Sequence, residues 1–250
     1  MADTVKTSIL YLENVCVSFD GFQALNNLSF NVKPGEMRAI IGPNGAGKTT
    51  MMDVVTGKTR PDSGRVLFDE TVNLTRMDEA EIAGLGIGRK FQKPTVFENH
   101  TVWDNLLLAL SAGRRAWDTL FARTKPEDRD AIEGILETTR LGQLRNEKAA
   151  NLSHGQKQWL EIGMLLAQDP KLLLVDEPVA GMTDSETAET ARLLREISRD
   201  HSVVVVEHDM TFVRDLDVDV TVLHEGSAIA EGTLDYVSAN ERVIEVYLGR

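Results

Sequence analysis

The segment Gly42-Pro43-Asn44-Gly45-Ala46-Gly47-Lys48-Thr49 fills every fixed position of the pattern G-x-x-x-x-G-K-[ST]. No other stretch constrains the fold as strongly, because the pattern works only with a buried strand before it and a helix after it. Met37-Arg38-Ala39-Ile40-Ile41 reads as that strand, and Thr49 to Thr56, closed by Gly57, as that helix. Glycines let the backbone curl until successive N–H groups converge on an anion, and the helix N-terminus behind them adds partial positive charge. Lys48 supplies a mobile ammonium for β- and γ-phosphates, the Thr49 hydroxyl a ligand for Mg²⁺, and Thr50 a further contact beside the phosphates. The loop predicts a nucleoside triphosphate ligand.

Composition narrows the class. A net charge of −12 lacks the basic face that nucleic acid demands, so DNA or RNA is not expected as a partner. It suits a basic docking surface such as the Lys/Arg-rich cytoplasmic loops of a membrane protein. No apolar run approaches the roughly 18 residues that span a bilayer. The N-terminal Met-Ala-Asp-Thr-Val-Lys has no signal-peptide core, and the single Cys16 excludes an internal disulfide. Cys16, between Val15 and Val17, is expected to be a packed strand residue.

Along the chain the patterning changes twice. Residues 8 to 40 predict short strands at Ile9–Leu12, Val15–Phe19 and Leu28–Val32, and Arg65–Phe68 predicts another after the turn at Pro61–Gly64. Residues 101–150 read as helices. Thr101-x-x-Asp104 resembles a capping box before Val102, Leu106 and Leu110, and Pro126 opens a helix carrying Ile132, Ile135, Leu136 and Leu141 up to Gly142. Arg114, Arg115 and Trp117 fall in the loop between them. From Gln156 the pattern is α/β: a helix to Gln168, the strand Leu172–Val175, a helix opened by Thr183-x-x-Glu186, then Val203–Val206. Continuous apolar strands separated by helices predict a parallel sheet covered on both faces. The fold class is therefore α/β: a phosphate-loop core with an N-terminal antiparallel β subdomain and an inserted helical subdomain. One domain, 1–250, divides into an insertion at 93–157 and a nucleotide-binding core at 1–92 and 158–250.

Ligands of open parallel sheets gather at the carboxyl ends of the strands, and three such ends carry chemistry. The first is the loop itself. Asp176-Glu177 follows Leu172–Val175: Asp176 is a candidate Mg²⁺ ligand acting through water, and Glu177 a candidate general base for water attacking the γ-phosphate. The alternative is a pair of surface carboxylates at a helix start. His208, after Val203–Val206, is a candidate γ-phosphate contact. Ser153-His154-Gly155-Gln156 reads either as a simple capped helix or as a second anion site. Gln92 follows a strand and is within reach of Mg²⁺ or the attacking water. Gly84-x-Gly86-x-Gly88 is not a dinucleotide fingerprint.

Taken together, Gly42–Thr49, Gln92, Leu152–Gln156, Leu172–Glu177 and His208 stand in the order of the ATP-binding subunits of ABC transporters, which this chain resembles over its full length. The resemblance implies Walker A, Q-loop, signature, Walker B with catalytic glutamate, and switch histidine, with Phe19 stacking on adenine. It implies ATP and Mg²⁺ as cofactors, and two cassettes sandwiching two ATP molecules, each between Walker A of one and the signature of the other. The second cassette is expected to be a paralogue or a second copy. Permease subunits in the membrane, docked near the apolar Pro94-Thr95-Val96-Phe97, and indirectly a solute-binding protein complete the set; the place is the cytoplasmic face of the cell membrane.

His154 stands where the signature has its first glycine, putting a titratable ring near the phosphate, and Thr183 where the loop after Walker B has aspartate. Leu152-Ser153-His154-Gly155-Gln156, Asp176–Asp184 and Val243–Gly249 resemble the branched-chain amino-acid transporter class, most of all its urea-transporter subunits. A urea or short-amide importer is therefore the first expectation and a branched-chain amino-acid importer the alternative. A soluble non-transport ATPase of the same family is disfavoured by the acidic charge and the lack of a basic arm.

Overall fold

The computed structural model describes residues 7–90, 95–112 and 126–248. The strands are β1 (Leu10–Phe19), β2 (Phe22–Val32), β3 (Met37–Ile41), β4 (Ser63–Phe68), β5 (Val72–Asn73), β6 (Ile87–Lys90), β7 (Leu172–Asp176), β8 (Ser202–Val206), β9 (Asp219–His224) and β10 (Ser227–Gly232). Four form an antiparallel sheet in the order β2-β1-β4-β5. The other six form a sheet ordered β10-β9-β3-β8-β7-β6, parallel except for β10, which runs antiparallel to β9 at the edge.

The described helices are α1 (Lys48–Val55), α2 (Glu79–Gly84), α3 (Val102–Ala112), α4 (Pro126–Thr138), α5 (His154–Leu166), α6 (Asp184–Ile197), α7 (Met210–Leu216), α8 (Leu234–Ser238) and α9 (Glu241–Leu248). The period-2 geometry of strands explains why valine and leucine runs bury both faces. Leu172, Leu174, Val204 and Val206 face a core shared with α1 and the antiparallel sheet. Leu173, Val175, Val203 and Val205 face α6 and α7, against Leu194, Ile197 and Phe212. α1 is thus gripped on two sides, since Met51, Met52, Val54 and Val55 join a cluster containing strands from both sheets.

A separate cluster holds α3, α4 and the start of α5 together through Val102, Leu106, Ile132, Leu136 and Leu160. α5 also belongs to the central core, because Ile162 packs among the residues under α6. The helix thus connects the two bodies of apolar contacts.

Three local features differ from the expectation. The short strands over residues 9–19 are one strand: Asn14 takes a left-handed φ of 48°, absorbing a register shift between Leu12 and Val15 without ending β1. The helix from Pro126 stops at Thr138, before Gly142. Arg140 adopts φ 58°, and the Leu141 N–H returns to the Leu136 carbonyl at 3.0 Å, so Leu141 packs as part of a C-terminal cap rather than as a helical residue. Cys16 is half-buried on the outward face of β1, where its Sγ lies 3.3 Å from the Asn27 backbone nitrogen. The expected capping boxes form at Ser153/Gln156 and Thr183/Glu186, and Thr101 and Asp104 exchange the same two bonds at 3.0 and 3.3 Å.

Phe68, only 1% exposed on β4, lies in the core that seats α1. Phe68→Ala is expected to lower unfolding free energy by about 3–5 kcal/mol, measured by urea denaturation.

Candidate nucleotide site

β3 ends at Ile41, and the next residues turn so sharply that only glycine fits. A Cβ on Gly42 would stand 2.3 Å from the Leu223 carbonyl oxygen, and one on Gly47, at φ 100°, 2.7 Å from that of Ala24. The resulting loop and the start of α1, residues 44–50, line a cavity of 300 Å³ together with Phe19, Phe22, Asp176 and Glu177. Gly42 and Pro43 sit behind the cavity and hold the lysine: Lys48 Nζ donates to the Gly42 carbonyl at 2.6 Å and to that of Pro43 at 3.0 Å. Burial pushes the Lys48 ammonium below its usual range, against the opposing pull of Glu177, Asp176 and Glu207. A cation held by carbonyls amid carboxylates is poised to exchange those oxygens for phosphate oxygens.

Asp176 closes β7 and is buried. Burial raises its carboxyl above the ordinary range, with Arg89 the chief opposing influence. Arg89, on β6, reaches Asp176 Oδ2 at 3.3 Å through one Nη and Asp53 Oδ1 at 2.5 Å through the other. Its guanidinium ties α1, β6 and β7 together directly beneath the phosphate loop. Glu177 takes a left-handed φ of 45° and donates its N–H to the Val206 carbonyl at 2.9 Å. This backbone kink turns its side chain toward the cavity and toward His208, whose Nδ1 lies 3.5 Å from Glu177 Oε1.

Glu207, 1% exposed, accepts N–H bonds from Val179, His208 and Asp209 at 3.3, 3.0 and 3.4 Å. Burial raises its carboxyl, and these bonds work in the opposite direction. It fixes the turn that carries His208 to the loop that follows Glu177. Below the end of β6, Glu161 of α5 accepts from the Thr95 backbone and hydroxyl at 3.2 and 2.9 Å and lies 3.9 Å from Lys90. Burial pushes the Glu161 carboxyl up and the Lys90 ammonium down, each opposed by the other. Gln92, between these two anchored positions, lies outside the described residues, as do Pro94, Arg114, Arg115 and Trp117.

The structure therefore gathers Phe19, Asn44–Thr50, Asp176 and Glu177 around one cavity, with His208 alongside. Ser153–Gln156 lie elsewhere, at the start of α5, and do not line it. The His154 ring is turned toward its own chain: Nε2 is 3.1 Å from the Ala180 carbonyl oxygen and 3.4 Å from the Gln158 amide nitrogen. Sequence reasoning missed Phe22, Arg89, Asp53 and Glu161 as parts of the site's frame. Glu207, whose part was also missed, had a legible signal, an acid directly after a buried run of four valines.

The fold and this site together define an ATP-binding cassette. The ABC transporter family profile matches residues 25–180. A protein from Archaeoglobus fulgidus described as "Probable branched-chain amino acid transport ATP-binding protein LivG" is 37% identical over 246 residues, covering 96% of this chain and 95% of that one. The "High-affinity branched-chain amino acid transport ATP-binding protein LivG" of Escherichia coli is 33% identical, covering 96% and 98%. A crystal structure of a nucleotide-free ATP-binding cassette from an ABC transporter superposes with a TM-score of 0.84 at 33% identity, over 98% of this chain and 100% of that one. A dimeric cassette in a post-hydrolysis state, bound to ADP and Pi, gives 0.75 at 28% identity over 90% and 98%. The chain belongs to the ABC transporter family, as an ATP-binding subunit, and is an ATP hydrolase. Among the described residues no helix is long and apolar enough to cross a membrane.

Removing the Arg89 guanidinium strands two carboxylates below the loop. Arg89→Leu is expected to cost about 3 kcal/mol without nucleotide. Added Asp176→Asn should recover part of that loss in a denaturation-based double-mutant cycle; strict additivity would show that the two side chains act separately.

Proposed function

We propose that this chain is the ATPase subunit of a binding-protein-dependent importer of the branched-chain amino-acid class, working as one of two facing cassettes under membrane permease subunits at the cytoplasmic face of the cell membrane. The observation that carries the ATPase reading is the convergence of Lys48, Asp176, Glu177 and His208 at adjoining carboxyl ends of one parallel sheet. The class reading is supported by relatives of that name aligned over 96% of the chain.

In this reading the backbone N–H groups of 44–50 and the Lys48 ammonium bind the phosphates, while Phe19 and Phe22, exposed at the rim of the cavity, offer aromatic surface to the adenine. Asp176 and the Thr49 hydroxyl suit Mg²⁺, a hard cation that accepts few protein oxygens and retains water; Gln92 is assigned to the same ion and to the attacking water. Bound Mg²⁺ would neutralise charge developing on the phosphates. Glu177 takes a proton from the water that attacks the γ-phosphate, and His208, within reach of Glu177, orients water and donates to the phosphate. Ser153–Gln156 form the half-site for the γ-phosphate of ATP held by the facing cassette. The two cassettes are the arms of the clamp, which ATP closes and hydrolysis reopens; each consists of an inserted helical subdomain, 93–157, and a core, 1–92 and 158–250, and exposed Phe97 marks the permease dock.

Glu177→Gln is expected to reduce hydrolysis at least a hundredfold while keeping ATP bound and favouring the paired state, read by phosphate release and by sizing with ATP present. Hydrolysis near the normal rate would remove Glu177 as the base.

The solute is read from class alone, because no residue described here would meet it. The comparisons favour branched-chain amino acids, which reverses the order expected from the sequence, where urea stood first. Urea remains the second reading, on the strength of His154 in the signature and of Asp176–Asp184. Uptake of labelled leucine and labelled urea in cells lacking the gene separates the two. Loss of leucine uptake with urea uptake intact is expected, and the opposite result assigns urea.

A further inference from the structure

Glu186 is the third residue of α6, and one of its oxygens serves its own helix. Oε2 accepts from the Thr183 N–H and from the Thr183 hydroxyl, both at 3.0 Å. The other oxygen leaves the helix. Oε1 accepts from the hydroxyl of Ser153, the residue that caps α5, at 3.0 Å. The carboxylate also rests on the first turn of α5: a Cβ on Gly155 would meet Glu186 Oε1 at 2.6 Å and Cδ at 2.8 Å. Hydrogen bonds, led by that from the Thr183 backbone, hold Glu186 below the usual carboxylate range, so it is an anion here. A serine hydroxyl has one proton to give. In this arrangement Ser153 has given it to Glu186, while its oxygen accepts from the Gln156 N–H at 3.2 Å.

We propose that Glu186 is an internal competitor for the γ-phosphate: its carboxylate occupies the Ser153–Gly155 end of α5 in the free cassette and must yield that place before ATP on the facing cassette can be gripped. The inference rests on Ser153–Gln156 being the second half-site, as proposed above. Two anions cannot share one hydroxyl proton, and a carboxylate left beside the phosphate would repel it. Glu186 is accordingly a positioning residue that sets the ATP concentration at which the pair closes. The tether to Thr183 gives it a place to withdraw to, since Oε2 remains bonded when Oε1 is released.

The test uses the assembled transporter and measures KM for ATP and kcat separately. In Glu186→Gln the amide oxygen still accepts from Thr183, so the α6 cap is kept, while the NH₂ cannot take the Ser153 proton. KM is expected to fall about three- to tenfold, the range for losing a partly exposed, charge-assisted competitor. Glu186→Ala should shift KM in the same direction. Ser153→Ala should raise KM, and adding Glu186→Gln to it should bring less than a twofold further change. An unchanged or higher KM in both Glu186 variants, with Ser153→Ala still impaired, overturns the competitor and leaves the half-site standing. An equal fall in KM with and without Ser153 also overturns it, because the effect would then be general electrostatics. A KM untouched by Ser153→Ala removes the half-site reading and the competitor with it.

Discussion

The grip on α1 from two sides is the constraint on which the site depends. Met51, Met52, Val54 and Val55 are buried in a cluster that includes Leu10, Leu12 and Phe68 of the antiparallel sheet and Ile40, Val204 and Val206 of the parallel one. A helix held by one face can rock; one held by two cannot without opening a core packed as densely as a crystal. The N–H groups at its start therefore point in a fixed direction, and an anion there finds its donors already aligned.

Charge organises the layer just outside that core. Lys48, Arg89 and Lys90 are buried cations among Asp53, Glu161, Asp176, Glu177 and Glu207. Burying so many ions is costly unless each is paired. The pairs run between elements rather than within them: Arg89 spans β6, α1 and β7, Glu161 reaches from α5 to the end of β6, and Glu207 holds the loops after β7 and β8 together. Whatever shifts one of these elements is therefore transmitted to the others, which suits a domain whose chemistry must follow the position of its helices.

The start of α5 has the opposite character. Ser153 and His154 are exposed and Glu186 is half-buried; Ser153 bonds to Glu186 of α6 and His154 contacts the Ala180 carbonyl of the loop after Glu177. Bonds of this kind are individually weak and exchange readily with other partners. The start of α1 is thus buried and held fast, whereas the start of α5 is accessible and held by few bonds.

How much of this was legible without coordinates follows from the range of each interaction. The phosphate loop, the capping boxes at Ser153/Gln156 and Thr183/Glu186, and the apolar strands Leu172–Val175 and Val203–Val206 are local patterns, dictated by backbone sterics and side-chain period, and each formed where the sequence placed it. Where a long-range or special-φ solution intervened, local reasoning fell short: Asn14 carried β1 through a bulge, and Arg140 ended a helix four residues before the expected glycine. The partners of Arg89 lie 36 and 87 residues away, and those of Ser153 and His154 lie 33 and 26 away. No periodicity encodes such pairs. The sequence by itself determined the ligand chemistry, because a phosphate cradle is a matter of eight consecutive residues. Only the tertiary structure decided which charges steady the cradle and which carboxylate lies across Ser153, because those contacts exist only once separate elements have packed against one another.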